Sequence, residues 1–211
     1  QLYVEESGED IYTNHILKSL PFLKDVLSIK EIVDLVKLFF ITQHPSYPFL
    51  PAHLSNIEQL YKFPLLLLTI LTISTRYQNG RYGEYSSIHN LLWDNCQQML
   101  SKTIWASVDN FGTLGTIFAF LLFTEWNPRS IHKKESDYAT ISDGNVQSKE
   151  FESLKRSENL SFMLAGTAVR LASSMNIGTK TGNILLALQI TELNVTMNFH
   201  LNNNLNIFKI Y

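Results

Sequence analysis

The chain has 211 residues, 45% of them hydrophobic and 12% aromatic, enough apolar material for one domain with a sizeable core and too much for a disordered chain. With 17 basic against 19 acidic residues the formal net charge is -2; this is no nucleic-acid footprint, because DNA affinity rests on phosphate neutralisation by Lys and Arg. The single cysteine, Cys96, excludes an internal disulfide and any cysteine cluster around zinc.

The chain starts with Gln rather than Met and reads as a fragment, with no basic-then-apolar signal segment expected at its start. Residues 1–27 read as an N-terminal flank, with Glu5, Glu6, Glu9 and Asp10 as a solvated acidic end. Glycine and proline are sparse, 9 and 6, and the apolar runs are long and Leu-rich, which predicts helices. The first begins at Ser28, which forms a capping box with Glu31. Ile32, Val36, Phe39 and Phe40 then share a face. Pro45, Pro48 and Pro51 end it in an extended loop. A second capping box, Ser55 with Glu58, opens a short helix that Pro64 restarts as a Leu-rich one. The apolar run over 63–75 contains Thr69, Thr72 and Thr75 and falls short of the roughly 20 apolar residues a bilayer requires. It reads as a buried core helix, not a membrane span.

Asn79 to Gly83 form a turn by their glycines. An amphipathic helix is predicted over 84–105, with Ile88, Leu91, Leu92, Cys96, Met99 and Leu100 as its stripe. Asp109 is a cap for a helix over 110–126 that is apolar on nearly all sides, and therefore central. Gly112, Gly115 and Ala119 would let a neighbour approach it closely. Residues 133–155 are polar, lack periodicity and read as a long mobile loop. Ser157 or Asn159 then opens a helix to about 175, with Leu160, Leu164, Ala168, Leu171 and Met175 on one face, and Gly178 beyond its end. Residues 179–211 read as a divergent or truncated Asn-rich tail. Together these elements predict an all-α, bundle-like domain over 28–178.

No chemistry of catalysis is legible. None of the histidines (His15, His44, His53, His89, His132 and His200) forms a two-His helical metal motif. They read as loop and helix-end residues making hydrogen bonds. There is no Gly-x-Ser-x-Gly elbow and no phosphate-binding loop. Cys96 lies on an apolar stripe, where a thiol is inert. No cofactor is expected in this chain. The residue that calls for explanation is Glu125, a carboxylate in the last turn of a helix, where the helix dipole disfavours it. Trp126 follows it, and Arg129 and Arg170 are its candidate ion-pair partners. Glu125 pointing into water is the equally weighted alternative, and a paired knot reads either as a fastener for the helix end or as the rim of a ligand pocket. Tyr61, Tyr77, Trp93, Trp105 and Trp126 read as lining such a pocket or as plain core and rim residues.

Four blocks in order resemble a known family. "LVKLFFITQHPSYPFLPAHL" over 35–54 carries Phe39, Phe40, His44, Pro45, Tyr47 and Pro48. "FPLLLLTILTISTRY" over 63–77 is a Leu-rich helix ending in a basic-aromatic pair. "NFGTLGTIFAFLLFTEWNPR" over 110–129 is an apolar helix. "LAGTAVRLASSMNIG" over 164–178 carries Gly166, Ala168, Arg170, Leu171 and Ala172. These blocks are similar to the fungal-specific transcription factor domain, or middle homology region, of fungal zinc-cluster transcription factors. "TEWNPR" is also similar to regulators of nitrogen-source utilisation in that family. The resemblance implies an all-helical, effector-responsive domain of a nuclear regulator. It implies contact with DNA through a zinc-holding cysteine cluster in an N-terminal domain missing from this chain, often as a homodimer. A metabolite effector is the implied ligand. A helical protein-interaction scaffold is the alternative, and an α-helical enzyme is the least favoured.

Overall fold

The computed structural model describes residues 8–46, 48–78, 80–84, 86–105, 114–127 and 146–174. Among these, every regular element is helical: α1 (Gly8–Ser19), α2 (Ile29–Thr42), α3 (Ile57–Leu60), α4 (Pro64–Arg76), α5 (Ser87–Trp105), α6 (Leu114–Glu125) and α7 (Val146–Ser174). Three 3-10 turns accompany them, Pro21–Asp25, His44–Ser46 and Ala52–Ser55. The all-α class is therefore what the structure shows. The chain divides into two units, Gln1–Ala119 and Phe120–Tyr211, with the boundary inside α6.

The first unit is organised around α4. Pro64 sits in its first turn, where a missing N–H removes no helical bond. Every residue from Leu65 to Thr75 is buried. α2 and α5 both pack against this helix. Its hydroxyls solve the problem that burial creates, since an unpaired buried polar group costs about 1–3 kcal/mol. Thr72 donates to the Leu68 carbonyl at 2.8 Å and Thr75 to the Leu71 carbonyl at 2.9 Å, within the helix. Ser74 reaches out to the Leu35 carbonyl of α2 at 2.9 Å. Thr69 meets the Cys96 thiol of α5 at 3.7 Å. No described helix is long and apolar enough to cross a membrane.

α2 begins as expected. Ser28 accepts from the Glu31 N–H at 3.3 Å, and Glu31 accepts from the Ser28 N–H at 2.8 Å. Elsewhere the structure differs from expectation. The segment read as a flank carries α1 and a 3-10 turn, and Ile16, Leu20, Leu23 and Leu27 are buried at helical spacing. The proline stretch is not simply extended, because His44–Ser46 and Ala52–Ser55 wind into 3-10 turns. The cap of α3 is Asn56, whose side chain accepts from the Glu58 N–H at 3.0 Å, whereas Ser55 donates to the Ala52 carbonyl of the preceding turn. On α5 the buried face runs through His89, Leu92, Trp93, Cys96, Leu100 and Thr103, so Leu91 is left exposed.

In the second unit, Phe120 to Phe123 are buried without a polar side, as the sequence predicted for this helix. Asp109, Asn110 and Gly112 lie outside the described residues. α7 starts at Val146, so residues 146–155, expected in a mobile loop, are helical. The physical reason is propensity: this stretch is rich in Lys, Glu, Gln and Leu, good helix formers that need no apolar periodicity. Residues 133–145 lie outside the described residues. Further along α7, Leu164, Ala165, Ala168, Leu171 and Ala172 are buried, while Leu160 is exposed. Ser161 donates to the Thr124 carbonyl of α6 at 3.2 Å. Met175, Gly178 and residues 179–211 also lie outside the described residues.

Candidate functional site

Besides a groove of about 570 Å³ lined by Val36, Phe40, Ile41 and Ile57, three places among the described residues of the first unit gather polar or concave features. The first is a polar knot at the start of α2. Glu31 accepts from the Ser28 N–H and the Ser28 hydroxyl, both at 2.8 Å, with one carboxylate oxygen. Its other oxygen accepts from the Tyr82 hydroxyl at 2.8 Å and from the Arg81 guanidinium. Arg81 also donates to the Val26 carbonyl at 3.2 Å. The Ser28 hydrogen bonds, with further help from Tyr82 and Arg81, hold the Glu31 carboxyl below its ordinary value of 4.5. Burial, and then the bond to Glu31, raise the Tyr82 phenol. The loop bearing Arg81 and Tyr82 is shaped by Gly83, at φ +116°, where a Cβ would stand 2.9 Å from the Gln78 carbonyl oxygen. The Gly83 N–H donates to the Thr75 carbonyl at 2.8 Å and closes the end of α4. All groups of the knot are used on one another, so it is a fastener.

The second place is His89, fully buried on α5 with Nδ1 3.1 Å from the Thr75 hydroxyl. The Thr75 hydroxyl also lies within hydrogen-bond distance of the Leu71 and Thr72 carbonyls of its own helix, and the imidazole tautomer sets which of Thr75 and His89 donates. Close by on the same stripe, burial pushes the Cys96 thiol up to about 12. That thiol is no nucleophile at neutral pH.

The third place is a cavity of about 250 Å³ where α4, α5 and α6 begin or pass. Phe63, Pro64 and Leu66 form one wall and Met99 with Thr103 another. Gly115 and Thr116 of α6 close it. Gly115 is the hinge of this geometry, because a Cβ there would stand 2.6 Å from two Phe63 side-chain carbons. The close approach foreseen for the glycines on this helix is thus made at Gly115. Lys62 and Lys102 stand at the cavity edge, both exposed. Lys62 donates to Gln59 at 2.9 Å. The volume is slightly below the range of typical small-molecule sites, about 300–1,000 Å³, and the lining is mainly apolar in the same way.

The described residues singled out in sequence as candidate site residues are not among those lining this cavity. Glu125 is the last residue of α6 and is exposed, and Trp126 is buried. Arg170 is exposed on α7 and donates to Thr167 of its own helix at 3.0 Å. Among the described residues no ion pair joins Glu125 to Arg170. Arg129 lies outside them. Of the five candidate pocket aromatics, none lines the cavity. Trp93 is buried, Tyr77 and Trp105 are exposed, and Tyr61 stacks on His15 at 5.3 Å. His44 donates to the Leu50 carbonyl at 3.2 Å and packs 4.9 Å from Phe40. Among the described residues no three His, Cys, Asp or Glu side chains are placed to hold a metal ion. Sequence reasoning missed the cavity, although Gly115 was its signal, and it missed His89 as a core residue.

No known family profile matches the chain, and no solved structure matches it significantly. The chain is similar to a protein of Aspergillus fumigatus described as "Transcription factor hmgR", with 30% identity over 200 residues. The match covers 73% of this chain and 27% of that protein, so the chain spans about a quarter of the relative's length. The likeness is thus to part of a fungal transcription factor.

Proposed function

We propose that this chain is the regulatory, effector-responsive region of a fungal transcription regulator of the zinc-cluster kind. The observation that carries the reading is the 30% identity, over 73% of the chain, to a fungal transcription factor. The all-helical architecture and the near-neutral charge agree with a region that regulates rather than grips DNA. DNA contact and zinc belong, on this reading, to a cysteine-rich part of the complete gene product outside these residues. The protein works in the nucleus, as a homodimer, on genes of nitrogen-source or other catabolic use. No catalytic step is assigned to this region.

The mechanism is a shift of population between two helical arrangements, biased by a small molecule that binds one of them better. The cavity beside Phe63 and Gly115 is the place where a ligand would touch three helices of the first unit at once. The Glu125 end of α6, beside the buried Trp126, is a second candidate locus. The test is chromatin occupancy of the complete, tagged gene product in its own organism. Enrichment at discrete sites upstream of genes supports the reading; uniform background occupancy contradicts it.

A helical scaffold for protein partners is the second reading. It is favoured by the exposed Ile104 and Trp105 at the end of α5, 54% and 87% accessible. Trp105→Ala weakening co-purification of a partner, with metabolite binding absent, would favour it.

A further inference from the structure

The cavity beside Phe63 and Gly115 has a chemical bias of its own, and the inference drawn from it rests on the effector reading above. We propose that this cavity takes a small organic carboxylate with an apolar body.

The walls supply the apolar half of the recognition. Phe63, Leu66 and Met99 offer carbon surface in a space of about 250 Å³, equal to about eight water molecules' share of liquid. The polar half comes from Lys62 and Lys102, on two different elements at the edge. Among the described residues that line the cavity none is acidic. Thr103 spends its hydroxyl on the Met99 carbonyl at 2.9 Å within α5, which leaves charge as the main polar signal. Lys62 donates to the Gln59 amide oxygen at 2.9 Å and stands 6.0 Å from the centre of the Tyr61 ring, and both contacts are exchangeable at an exposed side chain. A cation in the cavity would be repelled, and a neutral apolar molecule would gain nothing from the lysines. An anion that is apolar at its other end uses both halves.

The probe is octanoate, with octanamide as its neutral counterpart of nearly equal shape, titrated calorimetrically into the full 211-residue chain at low salt. Octanoate is expected to bind at least about tenfold more tightly than octanamide, and more weakly as salt is raised. Lys62→Gln with Lys102→Gln, both exposed and unlinked to the core, should keep the fold by circular dichroism and bind the two probes equally. Equal binding of both probes by the unaltered chain overturns the carboxylate inference and leaves an effector cavity standing. A carboxylate preference that survives in the double variant also overturns it. Binding of neither probe overturns it and removes this cavity from the effector reading.

Discussion

Gly115 of α6 lies against Phe63 so closely that any side chain on it would collide with the Phe63 side chain, 2.6 Å from a built Cβ. In an ordinary helix interior, Gly→Ala gains about 1 kcal/mol. Here the collision opposes that gain, because overpacking costs about 1–3 kcal/mol. We expect Gly115→Ala to lower the urea midpoint and to reshape the cavity. A rise in the midpoint would show that Phe63 can simply move aside.

The Glu31 knot should make stability pH-dependent. The folded carboxyl titrates below its unfolded value, so its contribution is fully present above the unfolded value. It is lost as pH falls through the folded value. Glu31→Gln should therefore cost about 1 kcal/mol at neutral pH, the scale of a helix cap. That difference from the unaltered chain should shrink below pH 4.5, the carboxyl's ordinary value. Denaturant titrations of both proteins at neutral and acid pH check this; a gap that stays constant would mean that the carboxylate charge is irrelevant.

Thr75 and His89 form a buried couple between α4 and α5. Thr75→Val keeps the shape but strips the hydrogen-bond partner from His89 Nδ1, and should cost about 1–3 kcal/mol. In a double-mutant cycle with His89→Leu, we expect a coupling of about 1 kcal/mol. Additive effects would mean that the contact contributes nothing.

Cys96 should be silent. Buried and with its thiol pushed up to about 12, it should react with a thiol reagent only after denaturation. Rapid labelling of the native chain would show that α5 opens away from α4.

At the end of α6, Glu125 and Arg170 should show no coupling energy, since no ion pair joins these two described residues. A coupling above about 0.5 kcal/mol, beyond the usual additivity error, would contradict this placement.

How far these features could be read in advance depended on how local their causes are. The Ser28–Glu31 cap rests on residues three apart, and the burial of α4 on an unbroken apolar run; both were legible. Gly115 was legible as a close approach, but not its partner Phe63. The start of α7 was not, because propensity without periodicity resembles a polar loop. Asn56 and Ser55 are both good cap residues, and only the preceding 3-10 turn decides between them. The α5 face was misread by one position, since His89, Trp93 and Thr103, side chains with polar atoms, are buried there, which a hydrophobic stripe does not register. The polar knot hypothesised at Glu125 has its described counterpart at Glu31, whose partner Arg81 lies 50 residues away. No local pattern announces a contact of that range.

The central claim is that these helices regulate transcription. It is tested most directly by placing Leu67→Asp, a charge at a fully buried position of α4, in the complete gene product in its own organism. Transcript levels are then compared with those of the unaltered strain, with the protein amount matched. The account predicts a coherent change confined to genes whose upstream regions the protein occupies. Unchanged transcripts at those genes, with the variant demonstrably misfolded, would contradict it.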